Sequence, residues 1–314
     1  MKKDDVQNAG PTDTFRLFVQ NVAKRCSLMD EMEPGWNHYD LKHLLWLLDY
    51  YHGYFEDTFD ALLSRKDWQG INNYFYQLNR MDIFPTYGTG WPNGFVFHYA
   101  LTTIAVGDDK SVEYLFPMDE NFPADENLEQ YIQGVKGGYP FNSLGEILLA
   151  GIWYQDSTFL DYAIPKAEKF VAGKWRPKCE IATIAYLLAL QDHDITKASE
   201  HLENACKILH TDVDDVEKKI YIEAHGLYRL AARVLDGDEF RQLSMPEYKT
   251  FSKEYARWRN SNPEPSQLYI PFPEPADFLN TLLVADWRTI PWGFYKGDPY
   301  PLPAEWIEAG RRLN

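Results

Sequence analysis

Between Asp108 and Tyr131 the chain gathers eight carboxylates, with Lys110 as the lone basic residue. Tyr114, Phe116, Phe122 and Tyr131 are interleaved with them. Carboxylates set around aromatic anchors suit recognition of a basic protein. The charges speed encounter and the rings supply buried contacts. The candidate partner-binding residues are therefore Asp108, Asp109, Glu113, Tyr114, Asp119, Glu120, Phe122, Asp125, Glu126 and Glu129. The plainer reading of this stretch is a solvated loop with its aromatics turned inward.

Catalytic chemistry finds less purchase. The eight histidines (His38, His43, His52, His98, His193, His201, His210 and His225) include no pair at i,i+4 spacing around a glutamate, the arrangement of a zinc protease. They read as surface or helix-packing residues. Asp212-Val-Asp214-Asp215 stands before a helical stretch, where carboxylates accept the unpaired amides of a first turn. Asp236-Gly-Asp-Glu239 lacks the further oxygen ligands of a calcium loop. No serine lies in a Gly-x-Ser-x-Gly elbow, and no cysteine has a neighbouring histidine to activate it. A glycan-cleaving helical enzyme would need two acids roughly 5–10 Å apart beside stacking aromatics. Many such residues are present, and no pair stands out. The expectation is no catalytic residue, no cofactor and no metal.

Composition narrows the class further. The 314 residues carry 31 Lys and Arg against 47 Asp and Glu, a net charge of −16. Nucleic-acid binding depends on basic side chains meeting phosphates, so this balance argues against it. Residues 67–140 are the most lopsided, with 3 basic and 10 acidic side chains, while 241–314 balance at 9 and 9. Cys26, Cys179 and Cys206 are odd in number and widely spaced, which fits neither a disulfide framework nor a zinc site. The start, Met1-Lys-Lys-Asp-Asp, has no apolar stretch behind it to read as a signal peptide. The apolar stretch Ile181–Leu190 is half the length of a membrane span. A soluble, cytoplasmic protein without membrane contact is expected.

The elements that must position these groups are helices. Phe15, Phe18, Val22, Met29 and Met32 form one stripe after Thr12. Leu41, Leu44, Leu45, Leu48, Phe55, Phe59 and Leu62 form a second, and Asp67 caps a third helix running towards Met81. Ile83–Gly94 reads as a Gly/Pro/aromatic loop. Helix then resumes to Gly107, and Ser143-Leu-Gly-Glu146 has the form of a capping box.

From there a layout recurs. An apolar helix ends in a short Asp-bearing turn, and an amphipathic helix follows. Leu144–Tyr154, Ile181–Leu190 and Val216–Leu235 are the apolar members, and Ala100–Val106 is an earlier copy. The turn residues Asp108, Asp156, Asp192 and Asp236 lie 48, 36 and 44 residues apart. Stacked hairpins of this kind bury faces that one hairpin cannot. Beyond Asn260 come nine of the 19 prolines, together with Tyr269, Phe272, Trp287, Trp292 and Trp306. Proline forbids a continuous helix there, and the aromatics demand burial. The expected fold is all-α, with irregular stacked helical hairpins (solenoid-like) over residues 1–260 and a Pro-rich extended arm, 261–314, packed on the same helical domain.

Phe95–Phe116, Leu144–Val171 and Ile181–Leu209, in the middle third of the chain, resemble in layout the all-α immunity proteins of bacterial polymorphic toxin and contact-dependent killing systems. The resemblance implies a cognate toxin domain, neutralised by tight binding over its active or substrate-binding surface. The acidity implies that this partner is basic. Two other readings use the same features: a helical-repeat adaptor or secretion chaperone, and an all-α glycan-active enzyme.

Overall fold

The computed structural model describes residues 13–32, 55–87, 96–116, 140–173, 176–207 and 214–286, and two short strands at 292–295 and 298–301. The fold is all-α: fourteen helices lie among the described residues, beside one small β-hairpin. Contacts gather in two units, residues 1–89 with 266–314, and residues 90–265. The Pro-rich arm from Ser266 onwards falls in the same unit as the N-terminal helices.

The first unit begins with α1 (Thr14–Met32), whose first turn is capped by Asp13, the acceptor for the Arg16 amide at 3.1 Å. The 3.6-residue period buries Phe15, Phe18, Val19, Val22 and Cys26. Helix α2 (Glu56–Ser64) adds Phe59 and Leu62. Helix α3 (Trp68–Tyr87) is capped by Asp67, which accepts the Gly70 amide at 2.9 Å. The expected loop at 83–94 thus starts as helix. Met81 and Ile83 carry the buried stripe onwards. Pro85 lies two residues before that helix ends at Tyr87.

The arm supplies part of this core. Tyr269 packs edge-on to Phe15 at 5.6 Å, and Phe272 to Phe18 at 6.4 Å. Gln77 holds the Ile270 backbone at both ends, donating to its carbonyl and accepting from its amide, each at 2.9 Å. The chain is extended here because proline recurs, and it turns helical at α14 (Phe278–Val284). Strands β1 (Trp292–Tyr295) and β2 (Asp298–Pro301) pair antiparallel, with Trp292 opposite Pro301. Pro299 and Pro301 fit because an edge strand has amides that need no partner.

The second unit carries the hairpins. Its helices are α4 (Val96–Val106), α5 (Asp109–Leu115), α6 (Pro140–Tyr154), α7 (Ser157–Val171), α8 (Lys178–Gln191), α9 (Ile195–Lys207), α10 (Asp215–Lys219), α11 (Ile222–Val234), α12 (Gly237–Gln242) and α13 (Lys253–Ser261). Helix α8 is buried almost all round, as its apolar run requires, whereas α9 buries only Ala198, Leu202, Ala205 and Cys206. Helix α6 starts at Pro140, so Ser143 lies inside it and Glu146 is buried; the expected capping box does not form. Proline at the first helical position sets that start. The expected single helix 216–235 breaks at Ile220–Tyr221, because the Tyr221 amide donates to the Thr250 carbonyl at 2.8 Å.

Helices α4 and α11 approach at Gly226, where a β-carbon would stand 2.0 Å from the Leu101 carbonyl oxygen. Only glycine fits that crossing. Gly107, at φ +73°, ends α4.

Candidate functional site

One junction recurs at the hairpin turns. Lys66, Gly107, Gln155 and His193 all have positive φ, and each is followed by an aspartate: Asp67, Asp108, Asp156 and Asp194. The amide of each aspartate reaches back to the helix before it. Asp67 donates to Leu62, Asp108 to Thr103 and Asp156 to Gly151, all at 3.0 Å, and Asp194 donates to Ala189 at 2.9 Å. This is the long bond of a Schellman ending. Three of the carboxylates then cap the next helix: Asp67 accepts Gly70, Asp156 accepts Thr158 at 2.8 Å and Asp194 accepts Lys197 at 3.0 Å. Asp108 instead accepts the Ser111 hydroxyl at 2.6 Å. A single residue thus stops one helix and starts another. Asp194, not Asp192, holds this position in its turn, and Asp67 is a further copy. The fourth expected turn differs: Asp236 forms a capping box with Glu239 and has no left-handed residue before it.

Register places these turns. His98 meets Glu223, Leu101 meets Gly226 and the Ile104 carbonyl meets Arg229, so α4 and α11 run parallel. Helix α6 shares the direction, since His98 meets Asn142 at its start and Arg233 lies 4.0 Å over Trp153 near its end. Helix α8 follows too: Tyr186 donates to Leu227, and His193 meets Glu239 at 2.9 Å. The four inner helices therefore end on one rim of the unit. That rim carries Asp108, Asp109, Asp156, Asp192, Asp194, Asp236, Asp238 and Glu239. Asp109, Asp192, Asp236 and Asp238 are exposed. Hydrogen bonding from Lys197 holds the Asp194 carboxyl below its usual range.

Of the candidate partner-binding residues, Asp108 and Asp109 lie on this rim at the start of α5, and Glu113 and Tyr114 lie in α5 itself. Glu113 is half-buried. Asp119, Glu120, Phe122, Asp125, Glu126 and Glu129 lie outside the described residues. Asp192, Asp236 and Asp238, which the linear sequence places in separate turns, join the first two by register.

The opposite end, where the inner helices begin, is polar in another way. His98 Nδ1 lies 2.8 Å from Glu223 Oε1, and Nε2 lies 3.1 Å from Asn142 Oδ1. Tyr221 donates its hydroxyl to Glu223 Oε2 at 3.0 Å. Burial alone would lower the His98 pKa. The Glu223 carboxylate and the hydrogen bonds to Glu223 and Asn142 outweigh it and raise the value to about 9. His98 is then an imidazolium that donates from both nitrogens. Burial, then the Glu223 charge, pushes Glu217 up to about 7. Cys179, at the start of α8, is pushed up by burial first, so it rests as a thiol. No linear spacing points to this cluster, whose members span residues 98 to 223.

His225 fits the packing role expected of it. It is buried, stacks on Phe251 at 4.1 Å and accepts the Ser252 amide on Nε2. Burial pushes its pKa down to about 3, so it is neutral. Among the described residues no group of His, Cys, Asp and Glu could hold a metal ion, and no helix is long and apolar enough to cross a membrane. No family model, curated protein or solved structure matches the chain.

Proposed function

We propose that this chain is a cytoplasmic bacterial immunity protein that binds a basic toxin domain and neutralises it by covering its active or substrate-binding surface. The observation that carries the reading is the shared direction of α4, α6, α8 and α11, which brings successive acidic turns onto one rim. A net charge of −16 extends the same field over the molecule. Such a rim steers a positively charged partner before contact, and the rate gain falls with salt. The neighbouring stretch 108–131, with its carboxylates and aromatics, continues directly from Asp108 and Asp109.

The test is a pull-down from the native host with partners identified by mass spectrometry, followed by co-expression. An immunity protein recovers a basic partner and rescues growth from it. Recovery of no basic partner overturns the reading. A basic partner that is harmless alone favours the adaptor or secretion-chaperone reading instead. Charge reversal at Asp109, Asp192 and Asp238, none of which caps its helix through its side chain, should then slow association by about tenfold or more at low salt. An unchanged on-rate removes the rim from the interface.

A further inference from the structure

A row of side chains along α3 holds the Pro-rich arm. Asn72 donates to the Ser266 hydroxyl at 2.7 Å, and Asn73 accepts the Gln267 amide at 3.2 Å. Gln77 takes both backbone groups of Ile270, and Arg80 donates to the Ala285 carbonyl at 3.3 Å. The arm also keeps its own shape. Asn280 accepts the Phe272 amide at 2.7 Å and donates to its carbonyl at 2.8 Å, which ties the extended part to α14. Ile270, Phe272, Leu279, Leu282 and Leu283 are buried, so an empty seat would open a large apolar surface to water. The joint lies just before the seat. Arg259 of α13 donates to the carbonyls of Asn262 and Glu264, so the chain belongs to the second unit up to there. From Ser266 it belongs to the first. Pro265 stands between, exposed, with no amide to give to either side. Pro263 and Pro265 also disfavour a helical turn at Asn262 and Glu264.

We infer that the arm exchanges between two copies of this chain, so that residues 266–286 of one copy complete the α1–α3 core of the other. The occupant is a second copy because the seat already fits this arm: Gln77 is matched to the Ile270 backbone, Phe15 to Tyr269 and Phe18 to Phe272. The stiff joint at Pro263–Pro265 lets the arm leave one seat and enter another without breaking a bond on either side of it. Every contact between arm and seat in the closed chain is kept in the exchanged pair, so the added cost is that of association itself. Among the described residues the exposed large apolar side chains are Leu17 and Val284. Both lie on these elements, in α1 and α14, and give two copies further surface to bury. The net charge of −16 on each copy opposes the pairing, and salt relieves it.

The full natural chain, prepared once unlabelled and once with heavy nitrogen, tests this. The two preparations are mixed, warmed to just below the unfolding transition, and cooled in salt that screens the charge. Size exclusion with light scattering should show a dimer that grows with protein concentration. The dimer fraction is then treated with a photochemical cross-linker, and the joined peptides are read by mass spectrometry. Pairs that link 68–87 to 266–286 should combine one light and one heavy peptide in about half of cases, the share that random pairing of copies gives. Pairs of a single isotope throughout mean that every arm sits on its own copy and the dimer is a surface contact, which overturns the exchange. A chain that stays monomeric at every soluble concentration overturns it as well.

Discussion

The His98 imidazole and the Glu223 carboxylate meet at 2.8 Å across 125 residues of chain, joining the start of α4 to the start of α11. Asn142 on the other ring nitrogen brings in the start of α6. One side chain thus ties three helix beginnings. Because the His98 pKa is raised from 6.5 to about 9, the pair's contribution to stability is fully present below pH 6.5 and is lost as pH rises through about 9. His98 keeps 31% of its side chain exposed, so solvent screens the pair. Glu223→Gln should cost about 1–2 kcal/mol at pH 7 and flatten the pH dependence between 7 and 10, read by urea unfolding of the second unit. An equal slope in the variant would place the alkaline loss elsewhere.

Gly226 sets the spacing of the same two helices. A methyl group there meets the Leu101 backbone oxygen at 2.0 Å, and a carbonyl in mid-helix has nowhere to go. Gly226→Ala should therefore destabilise the second unit by about 2–3 kcal/mol, although alanine is the better helix former. Calorimetry should show that unit's transition lowered. A raised transition would mean that the helices part at little cost.

The turn aspartates carry a local prediction. Asp156→Ala removes the acceptor for the Thr158 and Phe159 amides and should cost about 1 kcal/mol. Asp161→Ala, at an exposed position of the same helix, should stay within about 0.5 kcal/mol of the natural chain. Chemical denaturation of the two variants side by side measures the difference. Equal effects would show that charge, and not capping, is what Asp156 supplies.

Much of this architecture was legible beforehand, for identifiable reasons. The alternation of an all-apolar helix with an amphipathic one follows from burial, so α8 declares itself in Ile181–Leu190 and α9 as the amphipathic helix after the turn. The turns declare themselves through aspartate. What composition conceals is backbone handedness. Lys66, Gln155 and His193 take the left-handed region without being glycine, so the copy at Asp67 is hidden and Asp192 looks as good a cap as Asp194. Register is hidden too. The rim needs four helices to share a direction, and the His98 cluster needs residues from five separate helices. Both depend on tertiary crossings such as Leu101 against Gly226.

Gln77 offers a test of the arm. It satisfies both backbone groups of Ile270, which is buried. Gln77→Ala leaves that amide and carbonyl unpaired, at a cost of about 2–3 kcal/mol. Limited proteolysis should then cut within 262–277 several-fold faster than in the natural chain. Unchanged cleavage would mean that Tyr269 and Phe272 anchor the arm alone.

The first unit is assembled from the two extremes of the sequence, with residues 90–265 between them. Synthesis runs in one direction, so α1, α2 and α3 emerge from the ribosome long before Tyr269, Ile270 and Phe272, which complete their core. The hairpin unit has all its residues in hand first and can fold while translation continues. Until Tyr269 and Phe272 emerge, Phe15 and Phe18 lack the packing that the arm gives them, and that interval is when a chaperone has most to hold.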